Sequence, residues 1–231
     1  MIIQIFSNPV DKGYLKRERY SLLSPFFAGA NVAFRREALK QVGAYDENCN
    51  SGEDQDICFR MANAGWELYF EPKAMVRHKN RMVLRAFVRQ WLNYGFHHPY
   101  LFIKHNYKGL RIYRTSRRRE EGALYRSLLS MRFPFSVLVF LTPFLAMHLL
   151  LVLAVVFAAV GLSIPAIVCG ALTIAVALFY FRLDLNWRSP RQTLVFVFLR
   201  YVANLALIAG GFLGGAKVKM IYIGATFDYR R

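Results

Sequence analysis

Residues 52–65 read Gly52-Glu53-Asp54-Gln55-Asp56-Ile57-Cys58-Phe59-Arg60-Met61-Ala62-Asn63-Ala64-Gly65. Ile57, Cys58, Met61 and Ala62 recur at helical spacing, which predicts a helix over Glu53–Ala64 with one buried face. Gly65 is its natural stop, because glycine closes a helix in the left-handed conformation without strain. Glu53, Asp54 and Asp56 crowd the first turn, where the helix dipole stabilises negative charge. Two readings of that cluster stay open. One is structural capping. The other is a general base at a cleft edge, helped by neighbouring carboxylates that raise one another's pKa. Asp54-Gln55-Asp56 also has the D-x-D spacing that holds a divalent cation against a diphosphate, and His78 is a further candidate ligand for Mn²⁺.

Working outward, Arg35–Val42 predicts a short helix stopped by Gly43. Phe26–Phe34 reads as a buried strand containing the small residues Ala28-Gly29-Ala30-Asn31. Trp66–Phe70 alternates as a strand broken at Pro72, and Val76 with His78 reads as another. Residues 1–80 are thus mixed α/β, with too little core for an independent domain, and are expected to be a piece of a larger fold.

The next segment, 81–132, is basic. Arg81, Arg85 and Arg89 share one helical face, with Leu84, Phe87, Val88, Trp91 and Leu92 on the other. This amphipathic pattern suits a helix lying at a membrane interface. His97-His98 and His105 are expected near the same interface. Further on come Lys104, Lys108, Arg111, Arg114, Arg117, Arg118, Arg119, Arg126 and Arg132 against Glu120 and Glu121. Such a run fits anionic headgroups.

From Phe133 to Phe181 there is no Asp, Glu, Lys or Arg. One helix needs only about 20 apolar residues to cross a bilayer. Gly161-Leu162-Ser163-Ile164-Pro165 breaks the stretch, so two spans are expected, at 134–160 and 164–181. A third is expected at 193–216, with Arg200 inside it and Gly210-Gly211 and Gly214-Gly215 spaced for close helix packing; a re-entrant or interfacial helix is the alternative there. Membrane region and tail together occupy 133–231. Positive charge places the N-terminal part and the 182–192 loop in the cytoplasm. Three spans would put Lys217, Lys219, Arg230 and Arg231 outside, against that rule. The apolar block begins too late for a signal peptide.

Composition agrees with a membrane protein. The chain has 231 residues, 31 Lys+Arg against 14 Asp+Glu, and 55% hydrophobic residues. That content excludes disorder, and it is too apolar for an ordinary basic nucleic-acid module, so no nucleic-acid partner is expected. Three cysteines, Cys49, Cys58 and Cys169, exclude a disulfide scaffold.

One order of motifs carries a family resemblance. Phe27-Ala28-Gly29-Ala30-Asn31-Val32-Ala33-Phe34-Arg35-Arg36 is followed by Val42-Gly43-Ala44-Tyr45-Asp46-Glu47. Gly52 to Arg60 comes next, then Ala64-Gly65-Trp66, then Pro72-Lys73-Ala74-Met75-Val76-Arg77-His78. The series resembles the C-terminal half of the catalytic domain of membrane-bound family 2 glycosyltransferases. The resemblance implies a partial GT-A fold, the C-terminal half of a Rossmann-like nucleotide-sugar transferase domain, followed by an α-helical membrane region of two to three spans. It implies inverting transfer of a sugar from a nucleotide-sugar to an acceptor hydroxyl at the cytoplasmic membrane face. The acceptor would be a lipid-linked sugar or a polysaccharide precursor.

By the same resemblance Asp54 is the catalytic base and Glu53 its neighbour. Gly29, Ala30, Asn31 and Asp56 would contact substrate. Arg89-Gln90-Trp91 is similar to part of the Q-x-x-R-W acceptor motif of processive members, although the pattern departs. His78 would reach the metal or diphosphate. A divalent cation, Mn²⁺ or Mg²⁺, is implied, while the family's principal metal motif lies in the donor half, and nothing before Phe26 supplies it. The chain is therefore expected to act with a donor half, on a longer polypeptide or a partner chain. The alternative is a non-catalytic membrane subunit that keeps the acceptor half and scaffolds a partner.

Overall fold

The computed structural model describes residues 14–15, 22, 28–69, 74, 76, 81, 83–115, 125–182 and 189–224. In chain order they form β1 (Tyr14–Leu15), α1 (Arg36–Val42), α2 (Glu53–Asn63), β2 (Leu68–Tyr69), α3 (Leu84–Lys104), β3 (Leu110–Thr115) and β4 (Tyr125–Met131). Then follow β5 (Ser136–Leu141), α4 (Pro143–Ala159), α5 (Ser163–Arg182), α6 (Pro190–Lys217) and β6 (Met220–Ile223). β1 and β2 form a small antiparallel pair. The main sheet has the order β4-β3-β5-β6, with β3–β4 antiparallel and both β3–β5 and β5–β6 parallel.

The N-terminal helices form as their local signals require. Gly43, at φ 80°, closes α1 by donating its N–H to the Leu39 carbonyl at 3.0 Å. Gly52, at φ 83°, turns the chain into α2, and Gly65, at φ 99°, turns it out. The predicted face of α2 is the buried one: Ile57, Cys58, Met61 and Ala62 pack with Ala38 of α1 and Leu68 of β2.

The stretch expected as a strand at 26–34 departs from that reading. Gly29–Asn31 is an exposed 3₁₀ turn, and Val32–Arg35 pairs with nothing in the sheets. Phe26 and Phe27 lie outside the described residues. Of the described part of the expected strand, Trp66–Tyr69, only Leu68–Tyr69 is one, and Val76 is in none; Phe70 and His78 lie outside the described residues.

The larger correction is that strands run through the region expected to be linker and membrane helix. Residues 110–115 and 125–131 are β3 and β4. The first expected span, 134–160, divides into β5 and the shorter helix α4. Leu138 and Phe140 are fully buried in a core with Phe102, Tyr113, Met220, Tyr222 and Leu22. Each such side chain contributes about 1.5–3 kcal/mol on burial. Helix takes over at Pro143, where the Thr142 hydroxyl accepts from the Leu145 N–H at 3.3 Å.

α4 and α5 form an antiparallel hairpin whose turn contains Gly161 at φ 79°. The expected second span, 164–181, falls inside α5. By length and composition Ser163–Phe181 and Pro190–Lys217 can cross a membrane, while α4 is a shorter apolar helix. Ser189 caps α6, its hydroxyl accepting from the Gln192 N–H at 3.3 Å.

The basic helix predicted at 81–92 becomes the start of the longer α3, and its apolar face is only partly covered, with Leu84 and Leu92 exposed. Trp91, with Phe87 and Val88, packs on Ala203, Ala206 and Leu207 of α6 instead of facing lipid. Arg85 and Arg89 stay exposed. The two backbones approach so closely that a Cβ on Gly95 would strike the Leu207 carbonyl. One on Gly210 would strike the Leu92 carbonyl, and one on Gly214 that of Phe96. Small residues permit this approach.

Candidate active site

The start of α2 brings the acids to a place where they meet two different environments. The Asp54 carboxylate accepts the Gln55 N–H at 2.8 Å on Oδ1 and the Gly29 N–H at 3.2 Å on Oδ2. The 3₁₀ turn therefore sits directly on Asp54, and a Cβ at Gly29 would lie 3.8 Å from the Asp54 Cβ. Asn31 fixes the far side of the turn by donating Nδ2 to the Ala74 carbonyl at 2.8 Å. Burial pushes the Asp54 carboxyl up to about 6; the charge of Glu53 adds to the rise, and the Gly29 and Gln55 N–H groups oppose it. A carboxylate tuned to that range can take a proton near neutral pH.

Tyr45 stands beside the same turn. Its hydroxyl is 4.0 Å from where a Gly29 Cβ would be, and its ring meets Phe34 edge-on at 6.0 Å. Burial, and then the charge of Asp54, raises the Tyr45 hydroxyl above its usual range.

Asp56 is two positions on, about 200° around the helix. It was expected beside substrate or metal, but it is fully buried on the opposite side. Its oxygens meet Arg60 Nη2 at 2.8 Å, Lys104 Nζ at 2.9 Å and His105 Nε2 at 2.7 Å. Burial alone would raise its pKa, but the hydrogen bonds from His105, Lys104 and Arg60 outweigh burial and hold the carboxyl well below the usual carboxylate range. Lys104 also pairs with Asp46 at 2.5 Å. Arg60 donates to the carbonyls of Val42 and Ala44, which ties α2 to the turn after α1. Asp56 is thus the seam between α2 and α3, with no side open to a cation. Among the described residues no group of three His, Cys, Asp or Glu is placed to hold a metal, so the D-x-D reading of Asp54 and Asp56 does not fit one.

Gln55, between the two acids, is buried and points to the other helices. Its Nε2 donates to the Leu22 carbonyl, so its Oε1 accepts from His98 Nε2 at 3.2 Å. That assigns the His98 proton to Nε2 and makes Nδ1 the acceptor of the Tyr222 hydroxyl at 2.9 Å. Burial takes His98 down to about 4, so it is neutral at physiological pH.

The structure gathers Asp54, Glu53, Gly29, Ala30 and Asn31 at one end of α2. It places Arg89-Gln90-Trp91 elsewhere, about two turns before His98 on α3. There Gln90 donates to the Tyr94 hydroxyl at 2.7 Å, and Trp91 is buried against α6 instead of open to an acceptor. His78 lies outside the described residues, as do Arg117, Arg118, Arg119, Arg188, Arg230 and Arg231.

Sequence reasoning missed Tyr45, although the motif around it was visible as Gly43-Ala44-Tyr45-Asp46. It also assigned His98, His105 and Lys104 to the interface. Their real partners, Gln55 and Asp56, are more than 40 residues away, and no local pattern announces such pairs.

With this geometry in place, comparison with known proteins gives consistent matches. The family described as glycosyl transferase family group 2 matches residues 14–181. A pre-mycofactocin glycosyltransferase of Mycobacterium tuberculosis (strain CDC 1551 / Oshkosh) is 36% identical over 80 residues, which are 35% of this chain and 17% of that protein. The same figures hold for that of strain ATCC 25618 / H37Rv. Succinoglycan biosynthesis protein ExoA of Rhizobium meliloti (strain 1021) is 32% identical over 77 residues, 33% of this chain and 23% of that protein. The chain thus aligns with less than a quarter of each relative's length. No solved structure matches it.

Proposed function

The chain belongs to glycosyl transferase family group 2, and on that premise we propose that it carries the acceptor side of an inverting sugar transfer at the cytoplasmic face of a membrane. The carrying observation is the Asp54 carboxylate, held by the Gly29 N–H and raised to about 6 at the start of α2. The acceptor hydroxyl oxygen attacks the anomeric carbon of a nucleotide-sugar, and its proton passes to Asp54. A new carbon–oxygen bond forms on the face opposite the leaving group. The bond to the nucleoside diphosphate breaks, and its electron pair leaves with the diphosphate. Gly29, Ala30 and Asn31 supply backbone and amide groups beside the reacting hydroxyl, and burial, with a smaller addition from the charge of Glu53, keeps the base's pKa high. Tyr45 closes the acceptor side. The acceptor is a lipid-linked sugar or a polysaccharide precursor, consistent with the name of the rhizobial relative.

A divalent cation is expected of the family. The described residues hold no group of His, Cys, Asp or Glu that fits one. The donor half comes from residues beyond those described or from a partner chain. The low coverage of the relatives supports this reading. The α4–α5 hairpin anchors the assembly in the bilayer, with its exposed apolar surface toward lipid.

Calorimetry of the detergent-purified chain with UDP and UDP-sugars, with Mn²⁺ or Mg²⁺ present, tests the donor assignment. Absence of binding is expected for the acceptor side alone. Clear metal-dependent binding would place the donor site within this chain and overturn the division. The base assignment is tested separately, by Asp54→Asn in the assembly that transfers sugar.

A further inference from the structure

Among the described residues the candidate spans by composition are α5 and α6, and α6 is the longer. We infer that α6 does not cross the bilayer but lies along its surface, on the same side as the sheet. The inference rests on the membrane reading of the α4–α5 hairpin, and it comes from strand pairing. β5 precedes α4, and β6 follows α6, yet the two are adjacent parallel strands with Ser136 opposite Met220 and Val139 opposite Ile223. Leu138 and Tyr222 are paired in that register, and both are buried in the central core. Strands of one sheet lie on one side of a membrane, so the chain crosses an even number of times between them. α4 and α5 run antiparallel across a short turn and stay together along their length. They enter or leave the bilayer as a pair and account for two crossings. A third by α6 would carry β6 to the far side and away from β5.

The side chains of α6 agree. One face, including Ala203, Leu207, Gly210 and Gly214, packs on α3, which itself belongs to the sheet layer through Phe102. The opposite stripe, Leu194, Phe198, Leu205 and Phe212, is apolar and exposed. The middle of the helix touches the base of the hairpin: Tyr201 donates its hydroxyl to His148 Nε2 at 2.9 Å, and Asn204 donates Nδ2 to the Tyr180 hydroxyl at 2.6 Å. His148 is near the start of α4 and Tyr180 near the end of α5. Exposed Arg191 and Lys217 mark the two ends of α6, where headgroup phosphates would meet them. Lys217 and Lys219 then share a side with Arg111, Arg114 and Arg132, which removes the charge conflict created by three spans. The occupant of the stripe is the lipid surface.

The experiment uses the full chain in sealed membrane vesicles with a different epitope tag at each end and a third tag in the turn after Gly161. Added protease should remove both terminal tags from one face and leave the turn tag protected. Terminal tags on opposite faces would overturn the inference while leaving the hairpin reading intact. All three tags on one face would overturn the hairpin and this inference with it. Leu205→Trp gives a reading that does not depend on the turn insertion. Its added fluorescence, taken against the unsubstituted chain, should be quenched more by lipids brominated near the headgroup than by lipids brominated at the chain ends. The reverse order would put residue 205 at the bilayer centre and restore α6 as a span.

Discussion

The segment 28–69 and the segment 84–224 are built by different rules. The first has small helices, short strand contacts and an exposed turn; its order comes from one small aliphatic cluster around Ile57 and Met61, from glycine caps and from hydrogen bonds made at helix ends. The second holds the fully buried aromatic core, Phe102, Phe140 and Tyr222 with Phe144 and Tyr180 in the helices beyond. The two meet at Asp56, Asp46, Lys104 and His105, and at the Gln55–His98–Tyr222 chain. The residues proposed for the chemistry thus sit on a light element that a heavier scaffold holds in position. Two acids of one helix, two positions apart, face different ways, Asp54 the Gly29 turn and Asp56 the scaffold.

The division predicts opposite phenotypes for those acids. Asp54→Asn keeps an acceptor for the Gly29 N–H and should fold normally, but it should lose about 10²–10⁴-fold in kcat, as measured by initial rates of sugar transfer. A normal rate would end the base assignment. Asp56→Asn removes the buried carboxylate from half-buried Arg60 and Lys104, of which Lys104 keeps Asp46, and should cost about 1–3 kcal/mol of stability, read as a fall in Tm. An unchanged Tm would mean that the seam is not what joins the regions. Within the scaffold alone, Gly210→Ala puts a methyl into the Leu92 carbonyl and should cost about 1–3 kcal/mol by the same thermal assay. Tyr222→Phe removes the donor to His98, and about 1 kcal/mol should follow.

The pH dependence sharpens the same contrast. Turnover should rise with pH through about 6, as Asp54 gains its basic form. Its folded pKa lies above its ordinary value, so its contribution to stability is greatest when protonated and declines between about 4 and 6 as pH rises. Asp56 has the other sign. Its lowered pKa contributes stability above the ordinary carboxylate range, which is lost as pH falls below that range. Thermal melts of Asp54→Asn and wild type across pH 4–7 should therefore converge toward acid, and equal pH slopes would count against the burial of Asp54.

What could be read from sequence was local. The face of α2 and the stops at Gly43 and Gly65 follow from helical period and glycine conformation, and each lies within a few residues of its cause. The grouping of Gly29, Ala30 and Asn31 with Asp54 came from the order of motifs, and the turn meets the acid as a backbone hydrogen bond that no single residue announces. What escaped was non-local. Val137 to Leu141 is as apolar as the helix after it, and only pairing with β3 and β6 makes it a strand. The apolar face of α3 was visible, but whether lipid or another helix covers such a face is not written in its period. Ala28-Gly29-Ala30 has no period at all, so a strand and a 3₁₀ turn look alike there.

The contact of α3 with α6 has a consequence for sequence tolerance. At Gly95, Gly210 and Gly214 the obstacle to a side chain is a backbone carbonyl, which cannot change rotamer to make room. A saturation library at these positions should therefore accept hardly any letter but glycine, whatever its polarity or size. Length is held as tightly as identity. One residue inserted between Leu207 and Gly214 would turn Gly214 by about 100° away from Phe96. Surface loops can absorb insertions and substitutions alike; this seam can drift in neither, and its spacing would serve as a ruler for aligning distant copies of the chain.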